Sequence, residues 1–590
     1  MTGPQHHENT QNTTHLTDTR ARSLPSQSNP NPRPDNVHMR FVANLSPEST
    51  FIINAQRPTG AHGISTHCVG LWFGQDDKEA PEKNGLANDE VVHVPEQAWD
   101  GAAGQTLLLS ALRPALRRKC ISVIPPEPEF GLLRELFFAK FDLIFPLLRD
   151  EAWEKHGVME TVALKQCICL LASLDPSMRP HLRLPHTEAV LSQAEFRAHI
   201  AAAVKQSLDL DFITDKVVLL QVCTLMSMYV GNQGFGELST SYCAQAVLHE
   251  QTLGFHVGWG DDKDKTGVER SRRIFWCVWV LDRLNAATNG RPTLIHRHDV
   301  DSRVMDSADD QPPPFRLLIR IAQLLDHTIS LYRPHAVEQA QTRRIDDTFE
   351  DLVKTTAAQN LSNASLELFY LSVVILRDRS HGHQSASELQ WFCASRIVAV
   401  ASGEFKPSLV YWPTLPYSVT VAASVAYRRL RNSSVPYSRR CAYTLFHDGC
   451  QLLSDLSRAF LSARIMAQLG KDTMREVERA TKRTRRDSIR PIQDAVTSSE
   501  TVLAGDHDIQ VSPNVDQPRS RQVLDLPQSL EAGVTHTTSA ACSDSCSPSF
   551  FDCYDGEAGI FGNFDPNFDL NRIDAIFSAN LDLNSQERTY

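Results

Sequence analysis

No two of the thirteen cysteines stand at Cys-x2-Cys spacing, and the first of them is Cys68. A zinc finger or ribbon needs such pairs to ligate metal, so none is expected here. Long apolar runs are missing too. The longest nearly apolar stretch, 217–230, is interrupted by Gln221 and is shorter than the roughly 18 residues a membrane span requires. The opening residues, MTGPQHHENTQNTTHL, hold no apolar h-region, which excludes a secretory signal there. Positive charge is not in excess: the formal net charge of -11 argues against a protein that coats nucleic acid over its whole surface, and leaves room only for a local basic module. Strand-like alternation is scarce through the middle of the chain. Most cysteines, among them Cys167, Cys169, Cys223, Cys243 and Cys277, sit in apolar, helix-like sequence and read as reduced small hydrophobes of an intracellular protein.

What is present is length and apolar content: 590 residues at 42% hydrophobic allow several domains and a sizeable core. Residues 1–40 are polar and expected to be disordered. Residues 41–120 are mixed, with short apolar patches such as FVANLSPESTFII and HCVGLWFG between loops. The segment LLRELFFAKFDLIFPLL opens the helical part, with Leu133, Leu136, Phe137, Phe141, Ile144 and Phe145 on one face and Pro146 as its end or kink. Periodic blocks follow near 187–206, 212–230, 238–255, 268–289, 315–334, 364–378, 385–402, 416–431 and 440–468. The fold class expected is therefore all-α: one large multi-helix domain over 121–470, flanked by disordered N- and C-terminal segments. A charged, then polar, disordered linker is expected over 471–545, and an acidic, aromatic segment over 546–590.

One stretch, SRRIFWCVWVLDRLNAATNGRP, stands out. Its eight residues from Ile274 to Leu281 are all apolar, which covers the whole circumference of a helix and places it at the centre of the domain. Arg272 and Arg273 at its start are expected to have acidic partners, with Glu269 nearby. Asp282 and Arg283, on successive positions, are expected to face different neighbours. Gly290 can take the left-handed conformation that ends a helix, and Pro292 prevents continuation.

Continued through TLIHRHDVD, the same segment resembles the signature of the fungal-specific transcription factor domain, the helical middle region of zinc-cluster regulators. The residues in family order are Arg272, Arg273, Phe275, Trp276, Asp282, Arg283, Gly290, Arg291, Pro292 and Asp299. LLRELFFAKFDLIFPLL resembles the family's opening helix, and YCAQAVLHEQTLGFHVG its Ala-x-x-Leu-Gly-Leu-His segment, with Phe255 in place of the usual leucine. LSPESTFI and IPPEPEF resemble the cutinase and fatty-acid-responsive subgroup. The resemblance covers roughly 121–470 and implies a nuclear transcription regulator with no cofactor. It also implies an N-terminal six-cysteine DNA-binding module, which this sequence lacks. DNA is then reached through a partner or paralogue that keeps the module, or by another surface, or the chain is a shortened product. Dimerisation with itself or a paralogue, and a small-molecule effector, are further expectations.

Two segments outside the helical part carry signals of their own. KRTRRDSIR concentrates Lys482, Arg483, Arg485 and Arg486, a nuclear-import or phosphate-binding pattern that a solvated helix end would also show. Ser488 within it sits in a basophilic-kinase context. At the C-terminus, Phe550, Phe551, Phe561, Phe564, Phe568, Ile573, Ile576, Phe577 and Leu581 alternate with aspartates. That composition is expected of an acidic activation segment whose apolar residues stay available to the transcription machinery; a final helix packed back on the core is the alternative.

Enzyme signals fail on inspection. GNQGFGE follows a helical run and has no Gly-Lys-Ser/Thr, and HEQTLGFH has Leu253 where a zinc-binding histidine belongs. GDDKDK breaks an Asp-rich magnesium pattern at Lys265, and His296, His298 and Asp299 lack further ligands. No catalytic, metal or cofactor-binding residue is assigned. The function expected is regulation, activating in sign, of a pathway-specific gene set: a secondary-metabolite cluster first, lipid or carbon catabolism second, with a helical scaffold or ligand-binding protein as the rival class.

Overall fold

The computed structural model of the chain describes residues 38–43, 65–67, 70–75, 100–149, 156–229 except 186 and 188, 237–258, 265–331, 347–358, 363–378, 386–500, and residues 570, 573, 574 and 577. A small antiparallel sheet precedes the helices, in strand order β1-β3-β2: β1 His38–Ala43, β2 Ser65–His67 and β3 Gly70–Gln75. β1 pairs with β3 from His38 opposite Gln75 to Ala43 opposite Gly70, and β2 lines the other edge with Ser65 opposite Trp72. The strands come mostly from the apolar patches of the 41–120 segment. Disorder is expected over 1–40, but 38–40 pair in β1; the rest of that expectation, over 1–37, and the one over 501–545 lie outside the described residues.

Beyond the sheet the described chain is helical, as the periodicity predicts. Its main helices are α1 Asp100–Ser122, α2 Glu127–Leu136, α3 Val158–Ala172, α4 Gln193–Asp209, α5 Lys216–Met228, α6 Glu237–Leu253, α7 Lys265–Asn289, α8 Pro313–Leu331, α9 Phe349–Thr356, α10 Asn363–Asp378, α11 Glu388–Ser402, α12 Thr414–Asn432, α13 Pro436–Leu456 and α14 Leu461–Glu500. α2 runs on through a π turn, Phe137–Phe141, to Ile144, two residues short of Pro146. β1 lies against α6. Among the described residues no helix is long and apolar enough to cross a membrane.

α7 occupies the centre, packed between α6 and α8 with α5 and α12 also in contact. Every residue from Ile274 to Ala286 is buried. Trp276 sits edge-on to both Phe275 and Trp279, with ring centroids 5.5 and 5.3 Å apart, and its indole N–H donates to Ser307 Oγ at 3.2 Å. Fully burying rings of this size contributes a few kcal/mol each. Gly290 closes the helix at φ 62°, and the Arg291 N–H reaches back to the Ala286 carbonyl at 3.1 Å, the six-to-one bond of a Schellman cap. The cysteines named above are buried and free, and burial pushes the Cys223 thiol up to about 12.

Three differences from the sequence reading have physical reasons. α3 was not among the periodic blocks because it is apolar on nearly every side, so it has no stripe to detect. The block at 440–468 is two helices, α13 and α14, separated at 457–460. Arg197 of α4 holds that break, donating to the carbonyls of Arg458 and Ala459 at 2.8 and 2.7 Å. Finally, α14 continues to Glu500, so residues 471–500 are helix where a disordered linker is expected from their charge.

Arg197 is 3% exposed, and its removal leaves two chain-break carbonyls without their charged donor. Arg197→Ala should cost about 2–4 kcal/mol, since hydrogen bonds to a charged group are worth about 1.5–3 kcal/mol each and are not additive. A chemical-denaturation curve of the purified chain measures it.

Candidate functional site

The signature residues converge on the end of α7. Asp282 accepts hydrogen bonds from the backbone N–H groups of Leu294 and Ile295, each at 3.0 Å. Arg283 donates to Asp282 at 2.9 Å, to Asp326 of α8 at 3.1 Å and to the Ile295 carbonyl at 2.8 Å. Its guanidinium carbon stands 4.0 Å from the Trp279 ring centroid, a cation–π contact. The two residues are 0% and 2% exposed. The expectation that they face different neighbours is corrected: both grip the 292–296 loop, because the chain folds back over the helix end immediately after the Gly290 cap. Burial raises the Asp282 carboxyl above its ordinary range, against the opposing pull of Arg283 and of the Ile295 and Leu294 amides.

Arg273 reaches the Arg149 carbonyl at 2.7 Å, tying the start of α7 to the end of the α2 segment. Arg272 is half-buried, while Gly290, Arg291 and Pro292 are exposed. His296, His298 and Asp299 are exposed as well, and among the described residues no group of three His, Cys, Asp or Glu could hold a metal ion. The signature is thus a staple between α7, its following loop and α8.

A second cluster lies on α12, α13 and α14. Ala423, Ala426, Tyr427 and Leu430 of α12, Ala442, Phe446 and Cys450 of α13, and Val477 and Ala480 of α14 form a small core of their own. Small residues let the helices approach closely; Gly449 packs with the Ala423 methyl 3.4 Å from where its own Cβ would stand. Into this core come Ile573 and Phe577 from the C-terminal segment, 4% and 0% exposed. The Phe577 ring centroid is 5.0 Å from Tyr427 and 5.3 Å from Phe446. Asp574 accepts from the Tyr427 hydroxyl at 2.6 Å and pairs with Arg431 at 3.5 Å. Burial, and then the neighbouring Asp574, push the Tyr427 phenol far upward, so it remains a neutral donor to that carboxylate.

Leu570, Ile573, Asp574 and Phe577 are helical, and Leu570 packs beside the other two apolar residues. Ile573 and Phe577, expected to be free for a partner, are therefore docked on the chain's own helices. The other residues of the expected activation segment (Phe550, Phe551, Phe561, Phe564, Phe568, Ile576 and Leu581) lie outside the described residues. In the basic cluster, Lys482 and Arg483 are exposed on α14; Arg485 and Arg486 belong to the same helix, with side chains outside the described residues.

Comparison with known proteins agrees with the helical body. Residues 134–315 match the fungal specific transcription factor domain. An uncharacterised transcriptional regulatory protein of Schizosaccharomyces pombe is 28% identical over 96 residues, 16% of this chain and 15% of that protein. An ABC-transporter-regulating transcription factor of Aspergillus fumigatus is 24% identical over 219 residues, 33% of this chain and 22% of that protein. The chain thus matches less than a quarter of the length of these relatives, which are fungal transcriptional regulators by name. The domain match contains α7 with Asp282, Arg283 and the loop they grip, ends at the start of α8 before Asp326, and does not reach the α12–α14 cluster.

Two predictions separate the roles of these clusters. Arg283→Ala strands Asp282 in the interior and should cost about 3–5 kcal/mol, whereas Arg291→Ala, at an exposed position, should stay within about 0.5 kcal/mol; thermal unfolding of both variants checks this. Phe577→Ala should release the C-terminal segment while leaving the body folded, because its contacts belong to a small core separate from the one around α7. Limited proteolysis should then cut near 577 about tenfold faster than in the parent chain, each tenfold corresponding to about 1.4 kcal/mol of docking lost. Tyr427→Phe should show the same effect in smaller measure.

Proposed function

We propose that this chain is a nuclear transcription regulator that activates a pathway-specific gene set, with its helical body receiving a metabolic or partner signal and its C-terminal segment contacting the transcription machinery. The match of 134–315 to a transcription factor domain, together with relatives named as regulators, supports the regulatory class. The docking of Ile573 and Phe577 supports the rest: apolar residues that already bind an aromatic cleft within the chain have the chemistry to bind a similar cleft elsewhere. In the docked arrangement Phe577 is unavailable, so contact with a partner requires its release.

A secondary-metabolite gene cluster is the first choice of target, and lipid or carbon catabolism the second. Because one relative is named for regulating an ABC transporter, an exporter gene within such a cluster is the first promoter to examine. DNA contact comes through a partner or paralogue that carries the six-cysteine module, or through another surface of this chain, and a homo- or heterodimer is the working form. The exposed Lys482 and Arg483 on α14 serve nuclear import.

A tethering assay tests this reading. Residues 540–590 fused to a heterologous DNA-binding domain should activate a reporter. The full chain fused to the same domain should activate less, and Phe577→Ala in that full chain should restore output only where contacts of the remaining phenylalanines suffice. No activation by the isolated segment, and no change on replacing its phenylalanines by alanine, would favour a helical scaffold instead.

A further inference from the structure

A cavity of about 500 Å³ opens beside the 176–181 turn, between the end of α11, the 406–411 segment, the start of α12 and the end of α13. That volume falls in the range of small-molecule sites, about 300–1,000 Å³. Behind the mouth Ala401, Leu409, Leu415 and Val419 are buried in the packing, while Leu452 and Leu456, with the half-buried Pro176 and Tyr411, present the apolar surface that a ligand can reach. Its mouth is charged, with Arg179, Lys406 and Arg458 against the single carboxylate Asp455.

The charges do not cancel. Lys406 pairs with Asp455 at 3.2 Å. The nearby Asp175 is already taken, by Lys140 at 2.8 Å and by the Ser177 hydroxyl at 2.7 Å. Arg179 uses its Nε to reach Gln193 at 3.2 Å, and neither Arg179 nor Arg458 joins an ion pair among the described residues. Among the described residues, therefore, neither guanidinium at the opening has a carboxylate within ion-pair distance. Tyr411 lines the same wall, its phenol raised by burial and then by Asp175, against the pull of Arg179, so it is a neutral hydroxyl at ordinary pH. A planar guanidinium fork matches an oxyanion geometrically, and an apolar wall behind it selects a ligand with an apolar body.

We propose that this cavity binds a small organic molecule carrying one oxyanion, carboxylate or phosphate, on an apolar body, with Arg179 and Arg458 holding the oxyanion and Pro176, Tyr411, Leu452 and Leu456 contacting the body. The site deepens the reading of the helical body as a signal receiver and rests on it for its biological meaning, while its binding chemistry stands apart. The cavity also shares helices with the docked C-terminal segment. Leu415 and Val419 line the cavity on α12, and the same four-residue step continues to Ala423, Tyr427 and Arg431 at the docking cleft. On α13, Phe446 and Cys450 of the cleft continue to Ser454 of the cavity.

Direct binding to the full-length chain tests the proposal without any transcription readout. The probe is 8-anilinonaphthalene-1-sulfonate, an oxyanion on fused rings, compared with N-phenyl-1-naphthylamine, which has the rings and no sulfonate. The sulfonate probe should bind saturably. Arg179→Ala combined with Arg458→Glu should weaken it at least about tenfold, about 1.4 kcal/mol, and leave the neutral probe within about twofold. Arg458→Glu alone, at an exposed position, should weaken it in the same direction and keeps the test valid if the double variant fails to fold. Displacement of the bound probe by 4-phenylbutyrate or by phenyl phosphate at the lower concentration assigns the oxyanion as carboxylate or phosphate. Unchanged sulfonate-probe affinity in the Arg458→Glu variant, equal weakening of both probes, or displacement by neither competitor overturns the proposal. A failed tethering assay with successful binding here would sink the transcription reading alone.

Discussion

Burying a guanidinium costs several kcal/mol unless its nitrogens find acceptors, and each of the three nitrogens of Arg283 has one, on three different parts of the chain. Its contacts to Asp282, to the Ile295 carbonyl and to Asp326 join α7, the loop after it and α8 in one knot. Asp282 completes it by taking two backbone amides of the same loop. None of these groups could be left in the interior alone, so the loop has to return over the helix end. The wholly apolar stretch of α7 in turn has to be covered on all sides, and α5, α6, α8 and α12 do so. The order of the helices around the centre follows from satisfying one charged pair beside two indoles.

How much of this the sequence shows depends on whether the cause is local. The central helix, its apolar circumference and its Gly290 stop are legible because pattern and cap sit within one segment. Pro146 likewise marks the end of the first aromatic helix. The division between α13 and α14 is not legible, because the group that holds it, Arg197, is more than two hundred residues away in sequence and reveals nothing by its own neighbours. α3 is hidden by its uniform hydrophobicity. For the Asp282–Arg283 pair, sequence position predicts divergent directions, and only the fold-back of the following loop brings both side chains to one place.

The docking of Leu570, Ile573 and Phe577 had a signal that composition outweighed. Leu570, Ile573 and Phe577 follow three- and four-residue steps, which is a helix face, but the surrounding glycines, aspartates and Pro566 favour an extended reading. The two readings are less opposed than they look. An amphipathic segment with an acidic flank suits any aromatic cleft with a cation at its edge, and Tyr427, Phe446 and Arg431 make one within the molecule.

That double suitability turns the segment into a competition. A partner that needs Phe577 binds only the released fraction, so its apparent affinity falls by that fraction, about tenfold for every 1.4 kcal/mol of internal docking. Strong docking would silence the segment and weak docking would leave it always available; a docking energy of about 1–3 kcal/mol puts the balance within reach of a single additional interaction. The helices that set it, α12 and α13, also form the wall and mouth of the cationic cavity, along the same four-residue ladders. Close packing of small residues such as Ala423 and Gly449 leaves little slack between them, so a change in spacing at one end of the pair is felt at the other. The aromatic cleft and the cavity lie along the same pair of helices, so a ligand that binds one is expected to shift the occupancy of the other by its differential affinity for the two arrangements.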